Sequence, residues 1–391
     1  MTGPGEHSNA GAAAPGQVFE LPPYPYDGLS HVGQLARGHA GGMVDLSIGT
    51  PCDPAPDKVI HALASSGSEH GYPSSAGSAR FRAAACDWLG RRFGANVDPS
   101  SVAACIGSKE LVAGLPGWLR LRRPDRDVVF FPAVSYPTYA MGARLAGCRA
   151  VPVPAGPDGR SRFDLLHPAD VARGLVCWIN SPANPTGALD GLVEAADWGR
   201  RNGVLVASDE CYAEFTWQGK PRSILEQGVE GVLAVHSLSK RSNMAGMRAG
   251  FFAGDPDTVH FLAEVRKHAG FMVPGPVQAA AVVALDDDSH VRSQRERYRE
   301  RLALLLRAFG EAGLAVDAPA GTFYLWVAPG AHLAEQLGGS GGWPLAEWLA
   351  RSAGVLVSPG QFYGTEECFV RVAAVAPLER LQLVAGRLEA L

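Results

Sequence analysis

The chain has 391 residues, of which 47% are hydrophobic and 19% charged, so it holds enough apolar side chains for one large domain or two smaller ones. A formal net charge of −4 gives no reason to expect nucleic acid or an anionic membrane surface as a partner. No apolar run approaches the roughly 20 residues that a membrane-spanning helix requires. The seven cysteines are scattered and form no CxxC pair, a pattern typical of reduced thiols in a cytoplasmic protein and not of disulfides or a metal site.

Residues 1–16 are rich in Gly, Ala, Pro and Ser and contain no basic stretch followed by an apolar one. This composition predicts a flexible tail and argues against a signal peptide, which again indicates a cytoplasmic protein. Residues 17–45 precede the first glycine-rich loop, and we expect them to pack with the C-terminal part of the chain.

Short apolar runs alternate with helical patterns through the middle of the chain, residues 46–276. The strand candidates span residues 101–108, 127–134, 148–154, 174–181, 203–210, 231–239 and 248–255. Amphipathic helical patterns lie between several of them, at residues 109–122, 138–147 and 192–203. Apolar strands buried on both faces and separated by helices predict an α/β domain with a doubly wound, mostly parallel sheet of seven strands. Ligands bind such sheets at the carboxyl ends of the strands.

The pattern changes after the sequence Pro274-Gly275-Pro276. A long helical run at residues 277–312 contains three consecutive aspartates, Asp286 to Asp288, which we interpret as a solvated helix junction or N-cap. Short strand patterns follow near residues 322–328, 355–360 and 368–374, before a last helix. We therefore predict a smaller α+β domain over residues 277–391.

The stretch SLSKRSNMAGMRAG, residues 237–250, places a lysine just beyond the end of an apolar strand. Ser237 and Ser239 precede Lys240, and Arg248 follows it by eight residues. Hydroxyl groups and the planar guanidinium fork are typical phosphate ligands. The stretch therefore predicts an amine beside an anion site.

Three other strand ends carry polar residues. Ser108 and Lys109 begin a helix after a glycine, where backbone N–H groups form an anion site. Asp209 ends another strand and is followed by Tyr212, while Asn184 lies in the turn NSPANPTG. An amine, an anion cradle, a carboxylate and an amide–phenol pair are the groups that pyridoxal phosphate requires.

With these residues in place, the chain resembles the class I and II aminotransferases, the fold-type I enzymes that use pyridoxal 5′-phosphate. The similarity extends from about Phe19 to the C-terminus. It implies that Lys240 binds the cofactor covalently, that Asp209 pairs with the pyridine nitrogen, and that Asn184 and Tyr212 hydrogen-bond the ring oxygen. The implied phosphate contacts are Ser108, Lys109, Ser237, Ser239 and Arg248.

The same resemblance implies two aromatic contacts. Tyr136, in PAVSYPTY, matches the residue that stacks on the pyridine ring. Tyr72, in HGYPSSAG, resembles the tyrosine that crosses a subunit interface to reach the neighbour's phosphate. The resemblance therefore implies a homodimer with shared active sites.

Arg371, in CFVRVAA, matches the family arginine that binds the substrate α-carboxylate in a bidentate pair, and the N–H of Gly49 resembles its helper. A fixed carboxylate favours cleavage of the Cα–H bond and thus transamination over decarboxylation. The implied substrates are small amino acids and 2-oxo acids, with the freed Lys240 amine moving the proton.

Segments along nearly the whole chain, among them GTPCDPAP and AVHSLSKRS, are similar to the actinobacterial N-succinyldiaminopimelate aminotransferases of lysine biosynthesis. That similarity implies L-glutamate as amino donor and N-succinyl-2-amino-6-oxopimelate as acceptor. The extra carboxylates of this substrate call for distal cations. The candidates are Arg266, Lys267 and His268, contributed by a second subunit, and more weakly Arg241 and Arg144; a solvated basic helix face is the alternative for each.

Other readings remain open within this family. A related aminotransferase acting on aspartate, LL-diaminopimelate or a secondary-metabolite amino ketone shares the cofactor residues, as does a β-eliminating C–S lyase. A pyridoxal-dependent transcription regulator also requires a basic helix-turn-helix region, which the short tail at residues 1–16 does not supply. A metal enzyme is unsupported because the sequence has neither HExxH nor clustered Cys and His.

Overall fold

The computed structural model of the protein describes residues 19–339 and 341–391, so the predicted flexible tail at residues 1–16 lies outside the described residues. The helices are α1 (Ser30–Gly38), α2 (Asp57–Ala64), α3 (Ala79–Phe93), α4 (Ser108–Arg122), α5 (Thr138–Leu145), α6 (Pro168–Ala172), α7 (Leu192–Asn202), α8 (Leu238–Arg241), α9 (Pro256–His268), α10 (Gly275–Asp286), α11 (Ser289–Glu311), α12 (Ala331–Leu337), α13 (Trp343–Ala353) and α14 (Leu378–Leu388). Within this part of the chain, no helix combines the length and the apolar character needed to cross a bilayer.

In residues 19–339 and 341–391 the strands form three sheets. They are β1 (Val44–Asp45), β2 (Val102–Cys105), β3 (Val128–Pro132), β4 (Arg149–Val153), β5 (Gly174–Asn180), β6 (Leu205–Asp209), β7 (Val232–Ser237), β8 (Gly250–Gly254), β9 (Leu314–Val316), β10 (Tyr324–Pro329), β11 (Val355–Leu356), β12 (Ser358–Pro359) and β13 (Val370–Ala373). The largest sheet has seven strands in the order β2-β8-β7-β6-β5-β3-β4. Strand β8 runs antiparallel to both its neighbours, and the other pairings in this sheet are parallel. The predicted mostly parallel, seven-stranded α/β sheet is confirmed.

The register of this sheet brings the polar strand ends together. Asn180, at the end of β5, lies directly opposite Asp209, at the end of β6. The next strand, β7, ends at Ser237 and leads straight into α8. Because β2 and β7 are both antiparallel to β8, they run in the same direction, and α4 therefore begins at the same edge. The carboxyl edge thus holds every predicted cofactor group that follows one of these strands.

The smaller sheet is antiparallel, with strand order β12-β13-β10-β9, and packs with α11, α13 and α14. The chain before the large domain belongs to the same core: Val32 and Ala36 of α1 are buried there. Strand β1 pairs in parallel with β11. This packing supports the predicted placement of residues 17–45 with the smaller domain, as far as the described residues reach.

The helical run predicted at residues 277–312 is two helices, α10 and α11, that meet at the aspartates. Asp286 is exposed, whereas Asp287 pairs with Lys58 at 2.6 Å and accepts a hydrogen bond from the Ser289 N–H at 2.9 Å. Helix α10 is apolar on most sides, and its residues are buried in the core of the large sheet. The predicted domain boundary at 276/277 is not tested directly. Because α10 packs in the core of the large sheet, we propose that the boundary lies at the junction of α10 and α11.

Candidate active site

A cleft of about 380 Å³ opens at the carboxyl edge of the large sheet, between this sheet and the smaller domain. Nearly all the predicted site residues line it, although they are scattered over more than 300 positions of the sequence. They are Gly49, Ser108, Lys109, Tyr136, Asn184, Asp209, Tyr212, Ser237, Ser239, Lys240, Arg248 and Arg371. The predicted residues outside the cleft are Tyr72 and Lys267, together with the other candidate distal cations Arg266, His268, Arg241 and Arg144.

Lys240 projects into the cleft from the short helix α8. Ser237 caps this helix by accepting a hydrogen bond from the Ser239 N–H at 3.2 Å. The Lys240 Nζ donates to the carbonyl oxygen of Gly49 at 2.5 Å. Burial lowers the pKa of Lys240 to about 8, and the positive charges of Arg371 and Arg248 act in the same direction. A large fraction of the amine is therefore neutral, and thus nucleophilic, near pH 8.

This lowered pKa predicts how the cofactor-free protein captures pyridoxal phosphate. Only the neutral amine of Lys240 attacks an aldehyde, so the capture rate is expected to rise about ten-fold between pH 7 and 9 and then level off. Stopped-flow absorbance of the bound cofactor measures this rate. A rate that still climbs steeply above pH 10 would mean that the amine keeps the ordinary pKa of 10.5.

Helix α4 begins at the cleft and provides a cradle for an anion. It begins at Ser108 without a side-chain cap, so the N–H groups of its first turn have no partner within the helix. Gly107 precedes it with φ +74°, and a Cβ at this position would lie 2.2 Å from an Nη atom of Arg248. Only glycine therefore lets the guanidinium approach the start of the helix. This donor set, with the Ser237 and Ser239 hydroxyls nearby, fits a phosphate dianion.

Asp209 is buried at the floor of the cleft. Burial raises the pKa of its carboxyl group, while hydrogen bonds from Cys211 and Tyr139 act in the opposite direction. The Tyr139 hydroxyl donates to Oδ2 at 3.0 Å, and the Cys211 N–H donates to Oδ1 at 3.2 Å. Asn180 connects this floor to the NPTG turn, because it donates to the Asp209 carbonyl oxygen and accepts from the Asn184 N–H, both at 2.8 Å. A buried carboxylate held by neutral donors fits the protonated nitrogen of a pyridine ring.

Arg371 reaches the cleft from the smaller domain and is buried. Its guanidinium donates to Asn184 Oδ1 at 2.9 Å and to the Ser47 carbonyl oxygen at 2.5 Å, and lies 4.2 Å from the centre of the Tyr324 ring. The Tyr324 hydroxyl is in turn 2.9 Å from that of Tyr212. The Arg371 Nε is buried and has no hydrogen-bond partner among the described residues. The guanidinium is therefore fixed in position and keeps a donor for a carboxylate.

Two predicted site residues lie on the surface of this chain. The side chain of Tyr72 is 99% exposed. Lys267 is also exposed, and its Nζ lies 3.3 Å from Glu264. Their predicted contacts require a second copy of the chain, so those roles stay predictions.

Two of the predicted distal cations are structural. Arg266 is 1% exposed and forms a bidentate pair with Glu110 at 2.7 and 2.8 Å. Arg241 is buried beside Glu214 and donates to the Ala284 carbonyl oxygen at 2.7 Å. Both guanidinium groups are buried beside carboxylates of the large domain and neither lines the cleft, so the structure gives no support to these two arginines as substrate contacts.

The cleft also contains residues that the sequence interpretation missed: Tyr24, Tyr26, Ile48, Thr50, Tyr139, Asn180, Cys211, Ala245 and Tyr324. Asn180 ends a predicted strand, and Tyr139 lies three residues after Tyr136 in the same sequence motif, so position alone could have found both. Tyr24 precedes the first helix and carries no motif, yet its hydroxyl accepts a hydrogen bond from Lys109 Nζ at 3.2 Å. The Lys109 side chain thus points to the cleft mouth, and only its backbone N–H remains for a phosphate.

The fold and the cleft agree with the comparison to known families. The family model "Aminotransferase class I and II" matches residues 41–388 of the chain. The chain therefore belongs to the class I and II aminotransferases, whose members depend on pyridoxal 5′-phosphate. The resemblance seen in the sequence is confirmed.

Curated relatives cover almost the whole chain. A probable aminotransferase of Mycobacterium tuberculosis is 44% identical over 98% of this chain and 90% of its own length. The 4-dedimethylamino-4-oxo-anhydrotetracycline transaminase of Streptomyces rimosus is 42% identical over 94% and 99%. An LL-diaminopimelate aminotransferase of Desulforudis audaxviator is 36% identical over 93% and 94%. The relatives thus share transamination but differ in substrate.

Solved structures show the same architecture. A probable N-succinyldiaminopimelate aminotransferase from Thermus thermophilus superposes with a TM-score of 0.83 and 30% sequence identity, covering 93% of this chain and 99% of that one. The fold-type I arrangement of a large and a small domain is therefore shared from end to end.

Proposed function

We propose that this aminotransferase moves an amino group between L-glutamate and N-succinyl-2-amino-6-oxopimelate, to give 2-oxoglutarate and N-succinyl-LL-2,6-diaminopimelate. The observation that carries the proposal is that one cleft contains two separate cations, Arg371 and Lys109, that could each bind a carboxylate. Arg371 keeps a buried donor for an α-carboxylate, and Lys109 lies at the mouth, where a second carboxylate of a long substrate ends.

The cofactor residues are proposed as the sequence assigns them. Pyridoxal phosphate, when bound, supplies an electron-withdrawing ring that stabilises negative charge at the substrate α-carbon. Asp209 would keep the ring nitrogen protonated, while Asn184 and Tyr212 would hold the ring oxygen. Tyr136 would cover the ring face, and Arg248 would bind the phosphate together with Ser108, Ser237, Ser239 and the Lys109 N–H.

Lys240 is the proposed acid–base residue. When it is not bound to the cofactor, its Nζ would accept the α-proton of the substrate and later return it. A pKa of about 8 suits this work near neutral pH, because the amine then both accepts and returns a proton readily. The same nitrogen at 2.5 Å from the Gly49 carbonyl lies beside the proposed α-carboxylate site.

The α-carboxylate would bind between Arg371 and the Gly49 N–H. Glycine is required at position 49, because a Cβ there would lie 1.9 Å from the Tyr324 hydroxyl oxygen. A carboxylate bound at both oxygens cannot rotate into the position from which it would leave as carbon dioxide. The Cα–H bond is then the one aligned for cleavage, which supports transamination over decarboxylation.

Lys109 is the cation that supports a substrate with a distal acid group. In the described part of the chain, the cleft is lined by four cationic side chains, Lys109, Lys240, Arg248 and Arg371. Three of them have proposed roles toward the cofactor or the α-carboxylate, which leaves the Lys109 ammonium. It lies 4.8 Å from the centre of the Tyr24 ring and 6.0 Å from that of Tyr136. An ammonium held by a phenol and by ring faces can still bind a carboxylate.

A second candidate rests on the relatives. One of them, 42% identical, is named for an anhydrotetracycline intermediate, and another, 36% identical, for LL-diaminopimelate. A polycyclic ketone or unsuccinylated diaminopimelate is therefore the alternative acceptor. Both acceptors retain the proposed roles of the cofactor residues, but a polycyclic ketone offers no α-carboxylate to Arg371.

Initial rates with a panel of amino donors, each paired with 2-oxoglutarate, test the proposed substrate. We expect kcat/KM for N-succinyl-LL-diaminopimelate to exceed those for LL-diaminopimelate, L-aspartate and cystathionine by at least about ten-fold, the effect of one well-placed polar contact. A higher kcat/KM for LL-diaminopimelate would contradict the proposed succinylated substrate, while the reaction would still be a transamination. Pyruvate release from cystathionine would indicate the C–S lyase.

The variant Lys109→Met tests the distal contact separately. It keeps the length of the side chain but removes the ammonium, so KM for N-succinyl-LL-diaminopimelate is expected to rise about ten-fold or more. L-Alanine has no distal acid group, and its KM should change little in the same variant. Equal changes for both substrates would assign Lys109 to the cofactor instead.

We further propose that the enzyme is a homodimer with shared active sites. A tyrosine side chain that is 99% exposed, as Tyr72 is, supports a contact made by a second copy. The predicted contact is the phosphate in the partner's cleft.

A further inference from the structure

Helix α11 lies against both domains. The buried residues of its C-terminal half, Leu302, Leu305 and Phe309, belong to the core of the smaller domain. Its N-terminal half instead places polar side chains, His290 and Gln294, beside the segment that follows Lys240. Their spacing of four residues puts them on one face of the helix. One rigid element is therefore in contact with the core of one domain and the catalytic segment of the other.

Gln294 is the central residue of this face and is 1% exposed. Its Nε2 donates to Asp53 Oδ2 at 2.7 Å, and its Oε1 accepts from Asn243 Nδ2 at 3.1 Å. An ionised carboxylate only accepts hydrogen bonds, so the amide nitrogen must face Asp53. Arg301, two turns further along α11, holds the same carboxylate with bonds of 2.6 and 2.8 Å.

Two partners of Gln294, Asp53 and Asn243, belong to the two segments that meet at Lys240 in the active site. Asp53 anchors the irregular loop at residues 46–56, in which Gly49 lines the cleft. Asn243 lies three residues after Lys240 and has φ +54°, a left-handed conformation that asparagine tolerates better than most residues. Its Nδ2 also lies 3.3 Å from the Pro54 carbonyl oxygen. The loop at residues 46–56 and the turn after Lys240 are thus joined by the hydrogen bonds of Gln294 and Asn243, none of which lies in the cleft.

We propose that Gln294 is a positioning residue: it fixes the distance between the Gly49 loop and the Lys240 turn. In the cleft these two segments meet where Lys240 Nζ donates to the Gly49 carbonyl at 2.5 Å. Between β1 and α2 the loop contains no strand or helix. Its first residue is held by the smaller domain, because the Leu46 backbone bonds Leu356 and Ala373, whereas the part around Asp53 is held by side chains of α11. A loop free to move would present the Gly49 N–H to the substrate carboxylate in many positions, and binding would weaken.

The variant Gln294→Leu replaces the amide by an apolar side chain of similar size and removes the hydrogen bonds to Asp53, Asn243 and Arg297. We expect KM for L-glutamate to rise about ten-fold while kcat falls by less than about three-fold, because the carboxylate contact is made in the ground state and the transition state alike. We also expect faster amide hydrogen exchange at residues 46–54 and 240–244 in the cofactor-loaded protein. Gln294→Glu, which places a second carboxylate against Asp53, should enlarge both effects.

The matched control is Arg126→Met. Arg126 donates to the carbonyl oxygens of Gly174 and Gly203 at 2.7 and 2.8 Å, at the amino edge of the large sheet and opposite the cleft. Its loss should lower the melting temperature without changing KM or exchange in the two segments. If Gln294→Leu does not fold, Gln294→Asn shortens the bridge by one methylene and tests the same distance.

Two outcomes contradict the proposal: unchanged exchange in residues 46–54 and 240–244, or a rise in KM no larger than that of the control. The kinetic readout rests on the proposed function, whereas the exchange readout does not. Wild-type protein that fails to use L-glutamate would therefore overturn the proposed donor, and the exchange data would still decide the role of Gln294.

Discussion

Replacing Lys240 by alanine is expected to lower the rate of transamination by at least about 10⁴-fold, because we propose one nitrogen both as the covalent anchor of the cofactor and as the base for the α-proton. Among the described residues, the one other lysine that lines the cleft is Lys109, which bonds the Tyr24 hydroxyl at the mouth. The measurement is single-turnover conversion of L-glutamate by the cofactor-loaded variant. Absorbance of the bound cofactor should also shift to that of the free aldehyde.

The control for this variant is Lys220→Ala, because Lys220 is exposed and lies outside the cleft. It should retain both the wild-type spectrum and the wild-type rate. The alanine variant should still bind the cofactor non-covalently, since the α4 cradle and Arg248 are untouched, and added methylamine should restore part of the rate. A Lys240→Ala protein with unchanged absorbance would show that another residue holds the cofactor.

The cofactor set could be predicted because it depends on local sequence. In a parallel sheet the strand ends reach the carboxyl edge whatever the strand order. Asp209, which ends β6, and Asn184, in the turn after β5, therefore converge with Lys240 once the strands are recognised. The anion cradle is equally local, since Gly107 and Ser108 carry the turn and the helix start in four consecutive letters, IGSK. These parts of the site required no knowledge of tertiary packing.

The residues that contact the substrate beyond its α-carboxylate could not be predicted in this way. A basic cluster such as Arg266 to His268 looks the same in sequence whether it faces a ligand or a carboxylate, and only the fold reveals Glu110 at 2.7 Å from Arg266. Tyr24 contacts Lys109 across 85 positions of sequence, and no periodicity predicts such a pair. Helix α10 is a similar case. Its apolar surface is compatible with the core of either domain, and the prolines at its start, Pro274 and Pro276, do not indicate that it packs in the core of the large sheet. Long-range packing decides these cases.

Asp209→Asn is expected to lower kcat by about 10²- to 10³-fold, the usual effect of removing one fixed charge partner from a reacting system. The amide is the same size as the carboxylate and can keep the hydrogen bonds of the pocket, but it carries no negative charge. The ring nitrogen of the cofactor would then lose its proton and with it most of its power to stabilise charge at the α-carbon. The affinity for the cofactor should fall far less than kcat. Equal losses of affinity and of kcat would show that Asp209 only anchors the cofactor.

Tyr139→Phe provides the graded comparison, because it changes the environment of the carboxylate without removing it. The Tyr139 hydroxyl, 3.0 Å from Oδ2, favours the ionised form and so lowers the pKa of Asp209 against the effect of burial. Its loss should raise that pKa further, so the acid limb of the kcat profile should move to higher pH while the rate on the plateau stays within about ten-fold of wild type. Asp209→Asn has no carboxylate to titrate and should lose this limb altogether. A Tyr139→Phe profile that coincides with wild type, or an acid limb that survives in Asp209→Asn, would place the controlling ionisation on a different group.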